Sequence, residues 1–407
     1  MSKVYIDVLN RDKTKRRTRG LIVSYKCNLN CVYCYIQNKS ITHPGVVNAI
    51  APSSGGYSET YNGSYLRGKT MPIEIAQNAI EDIFKEENTV GYDEVEIDFA
   101  GAEPLTVYNN IKQISEWCWS KEWPKPYILF ATTNGTLLNS EMKKWFYKNR
   151  ERFVLGLSCD GDADTHNKNR SNSALSIDFD FFLKTWPTQP VKMTISEDRV
   201  SHLADDVIYL HEKGFSINAN PANGMNAWRE SNITEYGGQL LKLMDYYLKN
   251  PAVPRASLFA VNLAGVLNTY ERMGKKYCGA GDGLDVIDVD GKKYPCHMFS
   301  PLVLPESKIT LLDKINFGAA ESFEDKMCKG CILKKICPSC YGLNFKQHGN
   351  PAIHDKTLCK LFIIQALANC KFHARLLSKN AGISLEEHQI VQATKKIYDY
   401  FYAQNIV

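Results

Sequence analysis

Apolar residues recur with two different periods along residues 18–219. Residues 94–100 (Glu-Val-Glu-Ile-Asp-Phe-Ala) alternate between polar and apolar, whereas residues 73–85 place Ile75, Ala79 and Ile83 on one helical face. Segments of these two kinds follow one another in turn. The predicted strands are 18–26, 94–100, 127–132, 153–158, 191–195 and 215–219, and the predicted helices are 73–85, 109–119, 139–149, 177–186 and 202–213.

Strands that alternate with helices at this spacing indicate βαβ units and a parallel sheet. Six strands are too few for a closed barrel of about eight, so the predicted fold class is α/β with a partial, open (β/α)6 TIM-type barrel. Residues 38–70 interrupt the pattern with a long Ser-, Gly- and Asn-rich stretch, which predicts a lid beside the active site. In a barrel of this type, functional residues lie at the C-terminal ends of the strands.

The composition is globular: the 407 residues are 44% hydrophobic and 23% charged, with a formal net charge of +5. This mild charge gives no basis for a nucleic-acid partner, and no apolar run reaches the roughly eighteen residues of a membrane span. The N-terminus lacks the apolar core of a secretory signal, so we expect a cytoplasmic protein. Residues 11–19 carry six basic side chains, which predicts a solvated segment or a contact surface for an acidic peptide or electron donor.

Thirteen cysteines without an export signal indicate metal binding or chemistry rather than a disulfide scaffold. Cys27, Cys31 and Cys34 directly follow the first predicted strand. Three soft thiolates at this spacing can hold three irons of a four-iron cluster and leave the fourth iron open to a small molecule. The alternatives are buried free cysteines or half of a zinc site.

Polar turns with small residues follow three further strands. The first is residues 101–104 (Gly-Ala-Glu-Pro), the second is 133–136 (Thr-Asn-Gly-Thr), and the third is 158–161 (Ser-Cys-Asp-Gly), which is followed by His166 and Arg170. Each turn alone is compatible with an ordinary strand-to-helix connection. Glu103 adds a carboxylate beside a backbone that a ligand can approach closely, because the adjoining residues are small.

Together with the cysteines, these turns resemble the radical SAM superfamily over roughly residues 18–230. CxxxCxxC with Tyr33 before its last cysteine resembles the family's cluster motif, and Gly101-Ala102-Glu103-Pro104 is similar to its GGEP motif, with Ala102 in place of a glycine. The resemblance implies that Cys27, Cys31 and Cys34 hold a [4Fe-4S] cluster whose open iron binds S-adenosylmethionine (SAM).

The resemblance also implies roles for the strand-end residues. Glu103 would receive the methionyl ammonium of SAM, Tyr33 would lie near the adenine, and Ser158 and Arg170 would contact the ribose or the carboxylate. The small residues Gly101 and Ala102 would let the backbone approach the cofactor.

Seven more cysteines lie close together after residue 235: Cys278, Cys296, Cys328, Cys331, Cys337, Cys340 and Cys359. The alternative of a zinc site uses the two CxxC pairs, but the gap between the pairs is short and three cysteines are left over. The spacing resembles the SPASM extension of radical SAM enzymes. That resemblance implies one auxiliary [4Fe-4S] cluster on Cys328, Cys331, Cys337 and Cys359, and another on Cys278, Cys296 and Cys340.

The second auxiliary cluster would have an open iron or take a ligand such as Asp282, Asp285 or His297. With the SAM-binding cluster, the expected total is three [4Fe-4S] clusters. We therefore expect a radical SAM domain over residues 1–235, a SPASM domain over 236–360 and C-terminal helices over 361–407, the last helix at 385–403. Cys118, Cys159 and Cys370 are predicted to pack in the core.

The resemblance implies an oxidoreductase that uses the 5′-deoxyadenosyl radical to abstract a hydrogen from a peptide. The first hypothesis is a maturase that forms a thioether or carbon–carbon crosslink in a ribosomally made peptide. The second is a formylglycine-generating sulfatase maturase, although His297 stands where that group has an aspartate base. The third is a non-catalytic iron–sulfur or zinc protein.

The expected partners are a precursor peptide and an electron donor of the flavodoxin or ferredoxin type. Only 26 residues precede Cys27, which is too few for a leader-binding domain, so we expect a separate leader-binding protein or recognition by the lid and the basic segment. His297 is a candidate general base, because imidazole titrates near neutrality, or a neighbour of the cluster without a catalytic role.

Overall fold

The computed structural model describes residues 15–36, 40–41, 68–222, 228–267, 278–378 and 384–404. Its strands are β1 Arg16–Ser24, β2 Lys26–Cys27, β3 Ser40–Ile41, β4 Glu94–Gly101, β5 Tyr127–Thr133, β6 Phe153–Leu157, β7 Val191–Ile195, β8 Ile217–Pro221, β9 Leu284–Ile287 and β10 Lys293–Tyr294. Its helices are α1 Ile73–Ile83, α2 Glu86–Thr89, α3 Tyr108–Trp119, α4 Ser140–Lys148, α5 Ala163–Asn169, α6 Phe179–Thr185, α7 Leu203–Glu212, α8 Glu230–Lys249, α9 Glu306–Ile309, α10 Tyr341–His348, α11 Lys356–Leu377 and α12 Leu385–Tyr402.

The chain divides into two compact units. The first contains residues 1–192 and 279–317, and the second contains residues 193–278 and 318–407. The domain limits predicted at residues 235 and 360 do not coincide with these divisions, so the division into radical SAM, SPASM and C-terminal segments stays a prediction. The predicted lid at 38–70 lies almost entirely outside the described residues.

The main sheet of the first unit has the order β10-β9-β1-β4-β5-β6. Strands β1, β4, β5 and β6 are parallel and follow one another in chain order, as predicted. One row of this register joins Ile97, Leu129 and Phe153, all fully buried, and the next joins Gly20, Asp98, Phe130 and Val154 on the opposite face. On β4, β5 and β6 the first face is therefore an apolar core, with the buried Arg19 of β1 at the end of its row, while the other face carries polar groups.

Two features of the sheet were not predicted. Strands β7 and β8 form where expected, but they pair with each other in a separate two-stranded sheet. The main sheet is instead extended by β9, parallel to β1, and by β10, antiparallel to β9. These two strands have four and two residues, too few for a recognisable alternation.

The basic segment at residues 11–19 differs from the prediction of a solvated segment or contact surface. In its described part, Arg16, Arg17 and Arg19 belong to β1 rather than to a solvated segment. Arg19 is fully buried and pairs with Asp285 (Nε–Oδ1 2.7 Å) and Asp82 (Nη1–Oδ2 2.7 Å), and Arg17 also pairs with Asp285. These carboxylates compensate the arginine charges, which allows a basic strand to lie inside the sheet.

The second unit is helical around its core. Ala366 and Cys370 of α11 pack in one cluster with Ala393, Ile397 and Phe401 of α12. The sequence analysis predicted α11 and α12 but missed α8, whose buried residues Ile233, Tyr236, Leu240, Leu243 and Tyr247 recur at helical spacing. None of the described helices has the combination of length and apolar character that crossing a membrane requires.

Candidate active site

The end of β4 is fastened to the start of the cysteine loop. Ala102 N–H donates to Ser24 O (3.0 Å), and Glu103 N–H donates to Lys26 O (2.9 Å), directly before Cys27. Gly101 has a φ of +145°, and a Cβ at this position would lie 2.5 Å from Ser24 O. Glycine is therefore required for the two strand ends to approach this closely.

The Glu103 carboxylate is a buried acceptor of three hydrogen bonds. Leu105 N–H (3.1 Å) and Thr133 Oγ1 (2.8 Å) donate to Oε1, and Asn134 N–H (2.8 Å) donates to Oε2. Burial raises the pKa of Glu103, while these donors oppose the rise. The donors orient a carboxylate that can accept a cationic group of a ligand.

The second turn also meets the cysteine loop. Asn134 Nδ2 donates to Asn28 Oδ1 (2.9 Å), and Asn28 Nδ2 donates to Thr136 Oγ1 (2.7 Å). The turns after β4 and β5 and the loop after β1 thus meet through hydrogen bonds at one edge of the sheet. Asn28 was missed in the sequence analysis, because nothing local distinguishes it from an ordinary turn residue.

Backbone hydrogen bonds hold the cysteine loop in place, and one of them reaches a cysteine sulfur. Leu29 N–H lies 3.4 Å from Cys27 Sγ, and Cys34 N–H donates to Cys31 O (3.1 Å). Val32 N–H donates to Asn169 O (3.0 Å), which holds the loop against the end of α5. Hydrogen bonds to sulfur are typical of sites that hold iron–sulfur clusters.

Asp160, in the turn after β6, is the centre of a buried polar cluster. Its carboxylate accepts hydrogen bonds from Tyr33 OH, from Asn169 Nδ2 (3.1 Å) and from Arg170 Nη2 (3.0 Å). The Arg170 guanidinium lies 5.4 Å from the centroid of the Tyr33 ring. Two predicted SAM contacts, Tyr33 and Arg170, are therefore brought together by a residue to which the sequence analysis gave no role.

The remaining residues of that turn are anchored by the backbone. Ser158 N–H donates to Thr133 O (2.9 Å), and Cys159 N–H donates to Lys192 O (2.9 Å). Cys159 is buried, as expected, and so are Cys118 and Cys370. The thiols of these three cysteines thus lie in the protein interior, away from solvent.

His297 lies beside the residue that follows Cys34. Its Nε2 is 3.1 Å from Tyr35 OH, and the two rings are tilted at a centroid distance of 5.7 Å. Burial, together with the positive charge of Lys192, lowers the pKa of His297 to about 4. The imidazole is therefore neutral at pH 7.

The sequence analysis missed several polar residues that lie together on the polar face of the sheet, the face of Asp98 and Phe130. Lys192 Nζ donates to Thr132 Oγ1 (2.7 Å) and lies 5.2 Å from the Phe130 ring centroid. Gly156 of β6 is the register partner of Thr132, and a Cβ there would lie 3.0 Å from Phe130. Asp98 is beside Phe130 in the register, and burial raises its pKa to about 7. Polar residues at alternate strand positions were the available signal.

Six of the seven later cysteines lie in the second unit, where they form two groups. The pKa of Cys328 is raised to about 11, mainly by burial and in part by the nearby Cys331 and Cys359. The pKa of Cys337 is raised to about 12, again mainly by burial and in part by Cys359, Cys328 and Cys331. These four thiols therefore lie within electrostatic reach of one another. Cys278 likewise acts on the half-buried Cys340, whereas Cys296 belongs to the first unit.

The donor chemistry of the four-thiol group fits an iron–sulfur cluster, because thiolates are the usual ligands of its irons. Among the described residues, no three His, Cys, Asp or Glu side chains are placed to hold a single metal ion. Of the other ligands considered for the second group, Asp285 is already engaged by Arg17 and Arg19.

Known proteins resemble this chain in sequence and in fold, although no family model matches it. The radical SAM cyclopropyl synthase TigE of Paramaledivibacter caminithermalis is 22% identical over 370 residues, which cover 87% of this chain and 74% of TigE.

Two solved structures show the same fold. Native anSMEcpe with bound AdoMet has a TM-score of 0.63 at 19% identity and matches 89% of this chain and 100% of its own. SuiB of Streptococcus suis bound to its precursor peptide SuiA has a TM-score of 0.52 at 16% identity and matches 85% and 76%. These similarities confirm the predicted α/β fold class.

Proposed function

We propose that the chain, which is a radical SAM enzyme of the SPASM type, forms a thioether or carbon–carbon crosslink in a ribosomally made precursor peptide. The observation that carries the proposal is the position of Arg170. Its charge acts on Glu103 and on Tyr33, and Cys31 acts on Arg170 in turn. A cysteine of the loop and two other candidate cofactor contacts thus lie within electrostatic reach of one buried cation.

In this proposal Cys27, Cys31 and Cys34 hold a [4Fe-4S] cluster, which when bound supplies the electron for reductive cleavage of SAM. Glu103 accepts the ammonium group of SAM, since its carboxylate is already oriented by three donors. Gly101 and Ala102 leave room for the cofactor, and Tyr33, Ser158 and Arg170 orient its remaining groups.

The polar face of the sheet would receive the peptide. A peptide substrate is supported by the similarity of this fold to that of SuiB bound to its precursor peptide. Lys192 and Thr132 offer hydrogen-bond partners for a peptide backbone, and the buried Phe130 ring packs beneath Lys192. The choice between thioether and carbon–carbon bond belongs to the proposal, because a common fold supports many reactions.

The C-terminal cysteines complete the cofactor set. We assign one auxiliary cluster to Cys328, Cys331, Cys337 and Cys359, which is supported by the mutual influence of their thiols. The other is assigned to Cys278, Cys296 and Cys340. Electrons would come from a flavodoxin- or ferredoxin-type protein, and a separate protein would bind the peptide leader.

Oxidation of a Cys or Ser side chain to formylglycine is the second candidate function. His297 follows the cysteine of the Gly-x4-Cys segment, residues 291–296, where the resemblance implies an aspartate base, and this difference weakens the candidate. The observation in its favour is that the neutral His297 imidazole, 3.1 Å from Tyr35 OH, has a ring nitrogen that can accept a proton. Since crosslinking and aldehyde formation give different products, one assay separates the two functions.

The enzyme would be reconstituted anaerobically and incubated with SAM, a reductant and short peptides encoded beside its gene. Tandem mass spectrometry of a crosslinked product would support the proposal, whereas a product that reacts with a hydrazide reagent would support formylglycine formation. Iron and sulfide analysis should give about twelve irons per chain for three clusters. A value of about four would contradict the assignment of the C-terminal cysteines.

A further inference from the structure

His354 lies against the four-thiol group without belonging to any cysteine motif. It precedes Asp355, which caps the N-terminus of α11. Its backbone N–H donates to Asp325 Oδ2 (2.8 Å), and Asp325 Oδ1 accepts from Met327 N–H (2.9 Å). Asp325 therefore ties the His354 segment to the turn that carries Cys328.

The imidazole of His354 faces the sulfur of Cys328. His354 Nδ1 is 3.3 Å from Cys328 Sγ, within hydrogen-bonding range for sulfur. A sulfur bound to iron is deprotonated and can only accept, so the proton of a neutral imidazole must lie on Nδ1. The other nitrogen, Nε2, is buried and has no hydrogen-bond partner within the described part of the chain. The Cys328 contact is therefore the hydrogen bond that defines the tautomer.

We propose that His354 is a positioning residue that donates a hydrogen bond from Nδ1 to the Cys328 sulfur and raises the reduction potential of the cluster held by Cys328, Cys331, Cys337 and Cys359. The inference rests on the proposed function, which assigns a cluster to these cysteines. A hydrogen bond to a ligand sulfur stabilises the reduced cluster more than the oxidised one, because reduction adds negative charge. The fold thus tunes this auxiliary cluster through a residue outside the ligand set.

The test uses the full chain with C27A/C31A/C34A, so that the remaining clusters belong to the C-terminal cysteines. Midpoint potentials would be measured by EPR-monitored redox titration in this parent, in His354→Ala and in His354→Asn. The Asn side chain carries a donor near the position of Nδ1. His348→Ala is the matched control, because His348 is an exposed histidine at the end of α10 in the same unit.

We expect His354→Ala to shift the reduction equilibrium of one cluster about tenfold toward the oxidised form, which is about 59 mV for a one-electron couple. His354→Asn should restore most of the shift, and His348→Ala should cause none. If His354→Ala kept its full iron content and its reduction potential did not change, this inference would be wrong while the cluster assignment would stand. Equal loss of iron from both His354 variants would make His354 a ligand and overturn it too. A parent without iron would overturn the cluster assignment itself, and this inference with it.

Discussion

Arg170 donates from Nη2 to Asp160 Oδ1 across 3.0 Å, and both side chains are buried. The same carboxylate accepts from Tyr33 OH, in the cysteine loop. Asp160 therefore compensates a buried cation and joins the loop after β1 to the turn after β6. Since Tyr33 and Arg170 are both proposed SAM contacts, one carboxylate determines where two cofactor-binding groups lie.

Asp160→Asn should lower both stability and SAM affinity. The variant leaves the Arg170 guanidinium without its counter-charge, and removal of one partner of a buried ion pair costs about 3–5 kcal/mol. Urea unfolding and equilibrium dialysis with SAM would measure the two effects. Asp164→Asn, which removes the charge of an exposed carboxylate paired with Lys168, is the control and should change stability by less than about 1 kcal/mol. Unchanged SAM affinity in a destabilised Asp160→Asn would restrict Asp160 to a structural role.

Gly101→Ala should disrupt the junction between β4 and the cysteine loop. The added Cβ would lie 2.5 Å from Ser24 O, and the φ of +145° is unfavourable for alanine. We expect a loss of about 1–3 kcal/mol in the free energy of unfolding and impaired cluster loading. Gly238 lies exposed within α8, and no other described residue has an atom within 4 Å of a Cβ added there. Gly238→Ala should therefore stabilise the protein by up to about 1 kcal/mol. Equal effects from the two substitutions would argue against the steric explanation.

Asp285→Asn should destabilise the first unit without affecting iron content. Asp285 is buried and pairs with Arg17 and Arg19, so its neutralisation leaves two arginines of β1 undercompensated, at a cost of about 3–5 kcal/mol. Chemical unfolding and iron analysis would be run on the same preparations. Asp313→Asn alters an exposed carboxylate of the same unit that has no proposed ligand role, and it serves as the control. Loss of iron from Asp285→Asn at unchanged stability would instead favour Asp285 as a cluster ligand.

The strand ends that build the site could be predicted from local sequence. Periodicity placed β1, β4, β5 and β6, and each glycine- or asparagine-containing turn followed one of them. Because carboxyl ends of parallel strands meet at one edge, the proximity of Glu103 to the cysteine loop follows from this order. Such inferences need only the period of apolar residues and the direction of the chain.

Contacts between distant residues could not be predicted in this way. The ion pair of Arg19 with Asp285 joins positions 266 residues apart, and β9 is too short to be recognised. Without a visible partner, the arginines of β1 had the appearance of a solvated segment. Asp160 likewise resembled a turn residue, because its partner Tyr33 is 127 residues away. Charge patterns identify buried ion pairs only when both partners are known.

Asp98→Asn should stabilise the protein more at alkaline than at acidic pH. Burial raises the pKa of Asp98 from 3.8 to about 7, while Lys192 lowers it and Glu96 raises it. A carboxyl with a raised pKa keeps its proton in the folded state after the unfolded chain has lost it. Its contribution is therefore most favourable below the unfolded pKa and declines as the pH rises toward the folded pKa. Asparagine removes this dependence, so the stability difference from wild type should grow by about 2 kcal/mol between about pH 5 and about pH 8. Urea unfolding at several pH values would measure this difference.

In Lys192→Met the pH at which Asp98 loses its proton in the folded state should be higher, since the positive charge that favours its carboxylate is lost. A pH-independent difference for Asp98→Asn would mean that Asp98 keeps an ordinary pKa on this face of the sheet.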